Sequence, residues 1–316
     1  MDSTRVSKPD LAVNLAGLEL KNPMIAASGT FGFGEEYINV AGFENEQLGA
    51  IVLKGTTLAP REGNKPPRVA ESASGMLNSI GLHNPGVDAL VREILPRLRR
   101  FDTRFIANIA GSTIEEYREV ARRLSDAPEL SAIEVNISCP NVHHGGAEFG
   151  TDPAAAADVI GAVREVWSKP LIAKLTPNVG RITTIAEACI EAGADALSLI
   201  NTLKGMVIDT KTRRPVLGGN TGGLSGPAIK PVAIWMVHQV YQVARKKGVP
   251  LIGMGGIASA NDALEFIIAG ASAFSVGTAL FWDPSVCRSI LAGIESYLQQ
   301  NGIARISELV GTLRLH

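Results

Sequence analysis

The sequence predicts an α/β fold: one (β/α)8 TIM barrel domain spanning residues 1–316, with a small N-terminal β-hairpin and long active-site loops. Two observations carry this reading. Eight short runs of apolar and small residues recur along the chain, each nearly continuous, as strands buried on both faces must be. Longer stretches with helical spacing lie between them, and eight such alternations favour a closed barrel. A doubly wound open sheet is the alternative.

Taken in order, "LAVNLAGLELKN" (11–22) alternates around a glycine and reads as a hairpin closing the barrel bottom. The strand runs are "PMIAAS" (23–28), "GAIVLKG" (49–55), "RFIANIAG" (104–111), "AIEVNIS" (132–138), "LIAKLTP" (171–177), "ALSLINT" (196–202), "LIGMGG" (251–256) and "AFSVGT" (273–278). Amphipathic stretches such as "TIEEYREVARRLSD" and "TTIAEACIEAGA" fit the intervening helices. In "NDALEFIIAGA" we expect Asn261 as N-cap and Gly270 as terminator. Two connections are unusually long, about 56–90 and about 203–228; the second holds "GGNTGGLSGP". Loops of that length in a compact domain are usually functional or disordered.

Composition narrows the function classes. Of 316 residues, 46% are hydrophobic and 19% charged, with a net charge of −1, so neither a nucleic-acid surface nor a charged tail is indicated. A small-molecule substrate is expected. Cys139, Cys189 and Cys287 are far apart, which suits neither a disulfide framework nor a zinc site. No signal-like or membrane-spanning apolar run is present, so we expect a cytoplasmic protein that does not insert in a membrane.

In a barrel the C-terminal strand ends form the active-site face. Here they carry Ser28-Gly29-Thr30, Lys54-Gly55, Asn108, then Asn136 with Ser138 and Cys139, Lys174, Asn201-Thr202, Gly255-Gly256 and Gly277-Thr278. Polar side chains in apolar strands cost free energy unless satisfied, and a bound polar ligand satisfies several together. A single such Asn is more often a bulge or turn residue, and either lysine is open to a plain structural ion pair. The glycines of "GMGG" and "VGT" read as tight turns or as the phosphate site usual after strands seven and eight. Asparagine matches the imide edge of a planar heterocycle; with a phosphate grip this suggests FMN, and the remaining amides suggest a second ring. No GxGxxG follows the first strand, which argues against a dinucleotide site.

Cys139 is either a buried small residue or a general base. The stretch behind it, "NVHHGGAEFGTDP", reads as a flap. Cys189 and Cys287 read as packing, and the adjacent His143 and His144 as loop histidines rather than metal ligands.

Together "NISCPNV", "NSIGLHNPG" (78–86), "INTLKGM", "TGGLSGPAIKP", "IGMGGI" and "SVGT" resemble the dihydroorotate dehydrogenases, over about residues 11–310. Cysteine at the base position resembles class 1, and the segments "HHGGAEFGTDP" and "PRVAESASGMLNSIGLHN" look like the B-type, NAD-linked catalytic subunit. The fumarate-linked A-type and a dihydropyrimidine dehydrogenase-like flavin barrel are the alternatives, and a catalytically silent barrel a third. The resemblance implies one FMN per chain, oxidation of dihydroorotate to orotate in pyrimidine (UMP) biosynthesis, a homodimer, and a heterotetramer with a partner subunit carrying FAD and [2Fe–2S]. This chain lacks the clustered cysteines for that cluster.

The resemblance also implies residue roles. Cys139 takes the C5 proton while hydride leaves C6. Lys54, Asn78, Ser79, Ile80, Gly81, Leu82, Asn136, Asn201 and Thr202 bind substrate. Ser28, Lys54, Gly55, Asn108, Asn136, Lys174 and Ile200 surround the flavin ring, and Gly226, Gly255, Gly256, Gly277 and Thr278 hold its phosphate. Gly55 departs from relatives that carry alanine there, with no consequence expected.

Overall fold

The computed structural model describes residues 8–40, 43–138 and 148–316. Eight parallel strands close a barrel: β1 (Met24–Ala26), β2 (Ala50–Val52), β3 (Arg104–Ile109), β4 (Leu130–Asn136), β5 (Leu171–Lys174), β6 (Ala196–Leu199), β7 (Leu251–Met254) and β8 (Ala273–Val276). Each pairs with its sequence neighbour, and β8 closes on β1 through Phe274↔Met24 and Val276↔Ala26. Seven fall inside the apolar runs of the sequence, and β4 begins two residues before its run, at Leu130. Six of them are buried at every position, because helices cover the outer face while side chains fill the inside.

The hairpin is present. Val13–Leu15 and Leu18–Leu20 pair antiparallel across a two-residue loop, Ala16–Gly17, with both φ angles positive. Val13, Leu15, Leu18 and Leu20 are buried in the main core. Lys21 Nζ donates to Asp102 O at 2.6 Å, just before β3 begins, which places the hairpin at the N-terminal ends of the strands.

The outer helices follow ordinary capping and spacing rules. In α1 (Ile114–Leu124), Thr113 Oγ1 accepts from Glu116 N, acids occupy the first turn and arginines the last. Tyr117, Val120, Ala121 and Leu124 form its buried face at i, i+3, i+4 and i+7. In α2 (Ala260–Ala269) the N-cap is Ser259, not Asn261. The Ser259 hydroxyl accepts from Asp262 N and donates to the Asp262 carboxylate, whereas Asn261 reaches Glu265 one turn on. Gly270 ends this helix at φ 128°, as expected.

The two long connections are more ordered than loops. Their strands form one antiparallel sheet in the order Leu203–Gly205, Gly222–Ser225, Gly75–Asn78, Val69–Ser72. One piece follows β2 and the other follows β6, so the sheet stands at the C-terminal mouth of the barrel. Sequence periodicity missed it because these strands are short, glycine-rich and mostly half-buried, so no clean alternation of buried and exposed residues marks them.

Cys189 and Cys287 are fully buried. Burial pushes each thiol up to about 12, with Asp283 adding to the effect at Cys287. The folded values lie above the ordinary thiol value of 9.0, so the two thiols contribute stability that is complete below about 9 and is lost as pH rises through about 12. A thiol reagent at pH 8 should therefore leave both unmodified in the native chain and label both after denaturation. Rapid native labelling of either, followed by peptide mapping, contradicts their place in the core.

Candidate active site

A cavity of about 520 Å³ opens at the C-terminal ends of the strands, walled on one side by the four-stranded sheet. Its floor is polar. Glu134, 1% exposed on β4, accepts from Asn108 Nδ2 of β3 at 2.7 Å, Ser198 Oγ of β6 at 2.7 Å and Lys174 Nζ of β5 at 3.3 Å. A bare buried charge is costly, so Glu134 and Lys174 depend on one another and on these neutral donors.

Above the floor, β4 and β6 are tied by amides. Asn201 Nδ2 donates to Asn136 Oδ1 at 3.1 Å and to Ser138 Oγ at 2.9 Å. Tyr117 Oη, from α1 behind the strand, donates to Asn136 O at 2.6 Å. The link fixes the segment that leads directly to residue 139.

Lys54 lines the same cavity, and its Nζ makes no hydrogen bond or ion pair with the described residues. Burial pulls its pKa down; Glu36 pulls it back up and Arg68 lowers it further. An unpaired, half-buried ammonium facing a cavity is suited to an anionic ligand group.

The segment 56–86 is held over the mouth by Asn84, 4% exposed. Its Oδ1 accepts from Thr57 N and Gly86 N, and its Nδ2 donates to Thr57 Oγ1 and Leu82 O. This clamp steadies Gly81 and Leu82, which line the cavity, Leu82 with φ 57°. Asn84→Ala leaves two backbone N–H groups unpaired and is expected to cost about 2–3 kcal/mol, read from denaturant unfolding. A loss under half a kilocalorie would remove the clamp from this account.

At the far side, two glycines bring two loops together. Gly226 and Gly256 have φ 92° and 77°, and a Cβ on Gly256 would stand 2.7 Å from Gly226 O. Only glycine fits this approach. Thr278 Oγ1 donates to Ser225 Oγ at 2.9 Å beside them. Ser275, 2% exposed and also in the lining, has a hydroxyl without a hydrogen-bond partner among the described residues. A glycine cradle, an orphaned hydroxyl and an unpaired ammonium fit a ligand with an anionic group and a polar ring. Among the described residues no group of His, Cys, Asp and Glu is arranged to hold a metal ion.

The sequence profile of dihydroorotate dehydrogenase matches residues 10–298. The chain belongs to the dihydroorotate dehydrogenase family. It is 56% identical to the protein of Geotalea daltonii named "Dihydroorotate dehydrogenase B (NAD(+)), catalytic subunit", over 98% of this chain and 100% of that one. It is 57% identical to the protein of the same name in Pelobacter propionicus, over 97% and 99%. Among solved structures, a DHODH from Eimeria tenella in complex with ferulenol superposes with TM-score 0.79 at 24% identity, covering 98% of this chain and 90% of that one. That likeness concerns the fold.

Within this dihydroorotate dehydrogenase barrel, the sequence-expected residues of the described segments come together. Ser28, Lys54, Gly55, Asn78, Ser79, Ile80, Gly81, Leu82, Asn108, Asn136, Lys174, Ile200, Asn201, Thr202, Gly226, Gly255, Gly256, Gly277 and Thr278 all line the one cavity. Cys139, His143 and His144 lie outside the described residues, as does most of the expected flap. Of the two lysines left open to a structural ion pair, Lys174 has one, and Lys54 has none among the described residues. Gly55 is not neutral space: a Cβ there would stand 2.9 Å from Asn108 Oδ1. Sequence reasoning missed Glu134, Ser198, Ser275 and Asn84. Glu134 had a signal, since it sits two residues before Asn136 and so faces the same side of its strand.

Proposed function

We propose that this chain binds FMN in the cavity and oxidises dihydroorotate to orotate in pyrimidine biosynthesis, as the catalytic subunit of an NAD-linked enzyme. The observation that supports it most is the convergence of Lys54, Asn136, Lys174 and Asn201 with the glycine cradle in one cavity. The B-type catalytic-subunit names of relatives at 56% and 57% identity support the NAD-linked form over the fumarate-linked one.

In this reading Gly226, Gly255, Gly256, Gly277 and Thr278 hold the phosphate, while Ser28, Gly55, Asn108, Lys174 and Ile200 surround the ring. FMN, when bound, supplies the acceptor for the hydride that leaves C6 of the substrate. Lys54 pairs with the substrate carboxylate. Asn78, Asn136, Asn201 and Thr202, with Ser79, Ile80 and the backbone of Gly81 and Leu82, orient the pyrimidine edge so that C5 faces residue 139. Cys139, as thiolate, takes the C5 proton, leaving the C5=C6 double bond of orotate. The four-stranded sheet restricts water at the mouth.

The word "subunit" in the relatives' names supports a partner chain. We place FAD and [2Fe–2S] on that partner, two copies of this chain at the centre of a heterotetramer, and the assembly in the cytoplasm. No helix among the described residues is long and apolar enough to cross a membrane. Purified protein should release one FMN per chain. NAD+ reduction by dihydroorotate should require the partner subunit; equal rates without it would contradict the NAD-linked assignment.

A further inference from the structure

We propose that Glu134 is a positioning residue that sets the charge and the hydrogen-bonding polarity of the barrel floor beneath the cofactor ring. This rests on the reading of the cavity as a flavin site.

The carboxylate reaches three other strands. Its Oε1 accepts from Asn108 and Lys174, and its Oε2 accepts from Ser198. Asn108 Nδ2 is thereby committed, which leaves Oδ1 to face the mouth. That oxygen lies 2.9 Å from where a Cβ on Gly55 would stand, and both residues line the cavity. Flipping the amide would set its oxygen against the Glu134 carboxylate, so Asn108 is held as an acceptor for a ligand N–H.

The second effect is on charge. Lys174 is 6% exposed and reaches the cavity, with Glu134 as its ion-pair partner. The pair is net neutral. Without the carboxylate's charge, a full unit of positive charge lies beneath the ring and favours its electron-rich reduced form. Glu134 thus restrains how readily the flavin is reduced while Lys174 still donates hydrogen bonds.

Glu134→Gln isolates the charge. Its carbonyl keeps the bonds from Asn108 and Lys174, and its NH2 faces the Ser198 hydroxyl, which accepts as well as donates. The flavin midpoint potential of the variant, measured on the FMN-loaded chain, should move positive. The ratio of reduced to oxidised flavin at fixed poise should rise on the order of tenfold. Ser198→Ala keeps both charges but strips a donor from the carboxylate, and should move the potential the other way by less. It decides the matter if Glu134→Gln does not fold. A purely structural Glu134 would lower the unfolding temperature and leave both potentials where they were, which overturns the proposal. A wild-type chain that binds no flavin overturns the site reading and this proposal together; a flavin-loaded wild type with unmoved variants overturns this proposal alone.

Discussion

Cys139→Ala is expected to keep FMN bound and to slow flavin reduction by dihydroorotate about 10²–10⁴-fold, the usual worth of a positioned general base. The described residues just before it in the chain are held firmly. Asn201 bridges Asn136 and Ser138, and Tyr117 secures the Asn136 carbonyl from behind. The chain thus leaves β4 at a fixed point on the cavity rim, immediately before residue 139. The other two cysteines are buried with thiols pushed up to about 12 and cannot stand in for it. Anaerobic stopped-flow absorbance of the variant tests this, and reduction within threefold of the wild-type rate would remove Cys139 from the mechanism. Cys189→Ala, by contrast, should leave that rate unchanged.

Gly256→Ala is expected to weaken FMN binding about 10–100-fold, with a folded barrel retained. At φ 77° alanine is strained by about 1–3 kcal/mol. Its methyl would also press on Gly226 O at 2.7 Å and on Lys230 Cβ at 2.9 Å. Neither loop can yield without opening the cradle, and each 1.4 kcal/mol lost from binding is tenfold in the dissociation constant. Fluorescence titration of apoprotein with FMN measures it. Wild-type affinity would show that the cradle does not grip the cofactor.

The barrel was legible because its signal is repeated. Eight apolar runs each obey the rule for a strand buried on both faces, and Asn136, Lys174 and Asn201 stand out by breaking it. The cavity lining was legible for the same reason, joined to motifs that resemble one family. Glu134 was hidden although it also breaks the apolar rule, because its partners Asn108, Lys174 and Ser198 lie on other strands and only the closed barrel brings them together. The four-stranded sheet was hidden because its central pairing joins segments roughly 145 residues apart, as in Asn78↔Gly223, a separation that loop-closure entropy opposes and that no local pattern encodes. The Ser259 cap was misplaced by two residues, within the ordinary uncertainty of helix ends.

The central claim is that one cavity holds the flavin and the dihydroorotate it oxidises. Anaerobic titration of the purified chain with dihydroorotate, followed at the visible flavin band, tests it most directly. The band should bleach with one equivalent of dihydroorotate per flavin, and orotate should form in equal amount. A flavin that dithionite bleaches but excess dihydroorotate does not, in a folded chain, would contradict it.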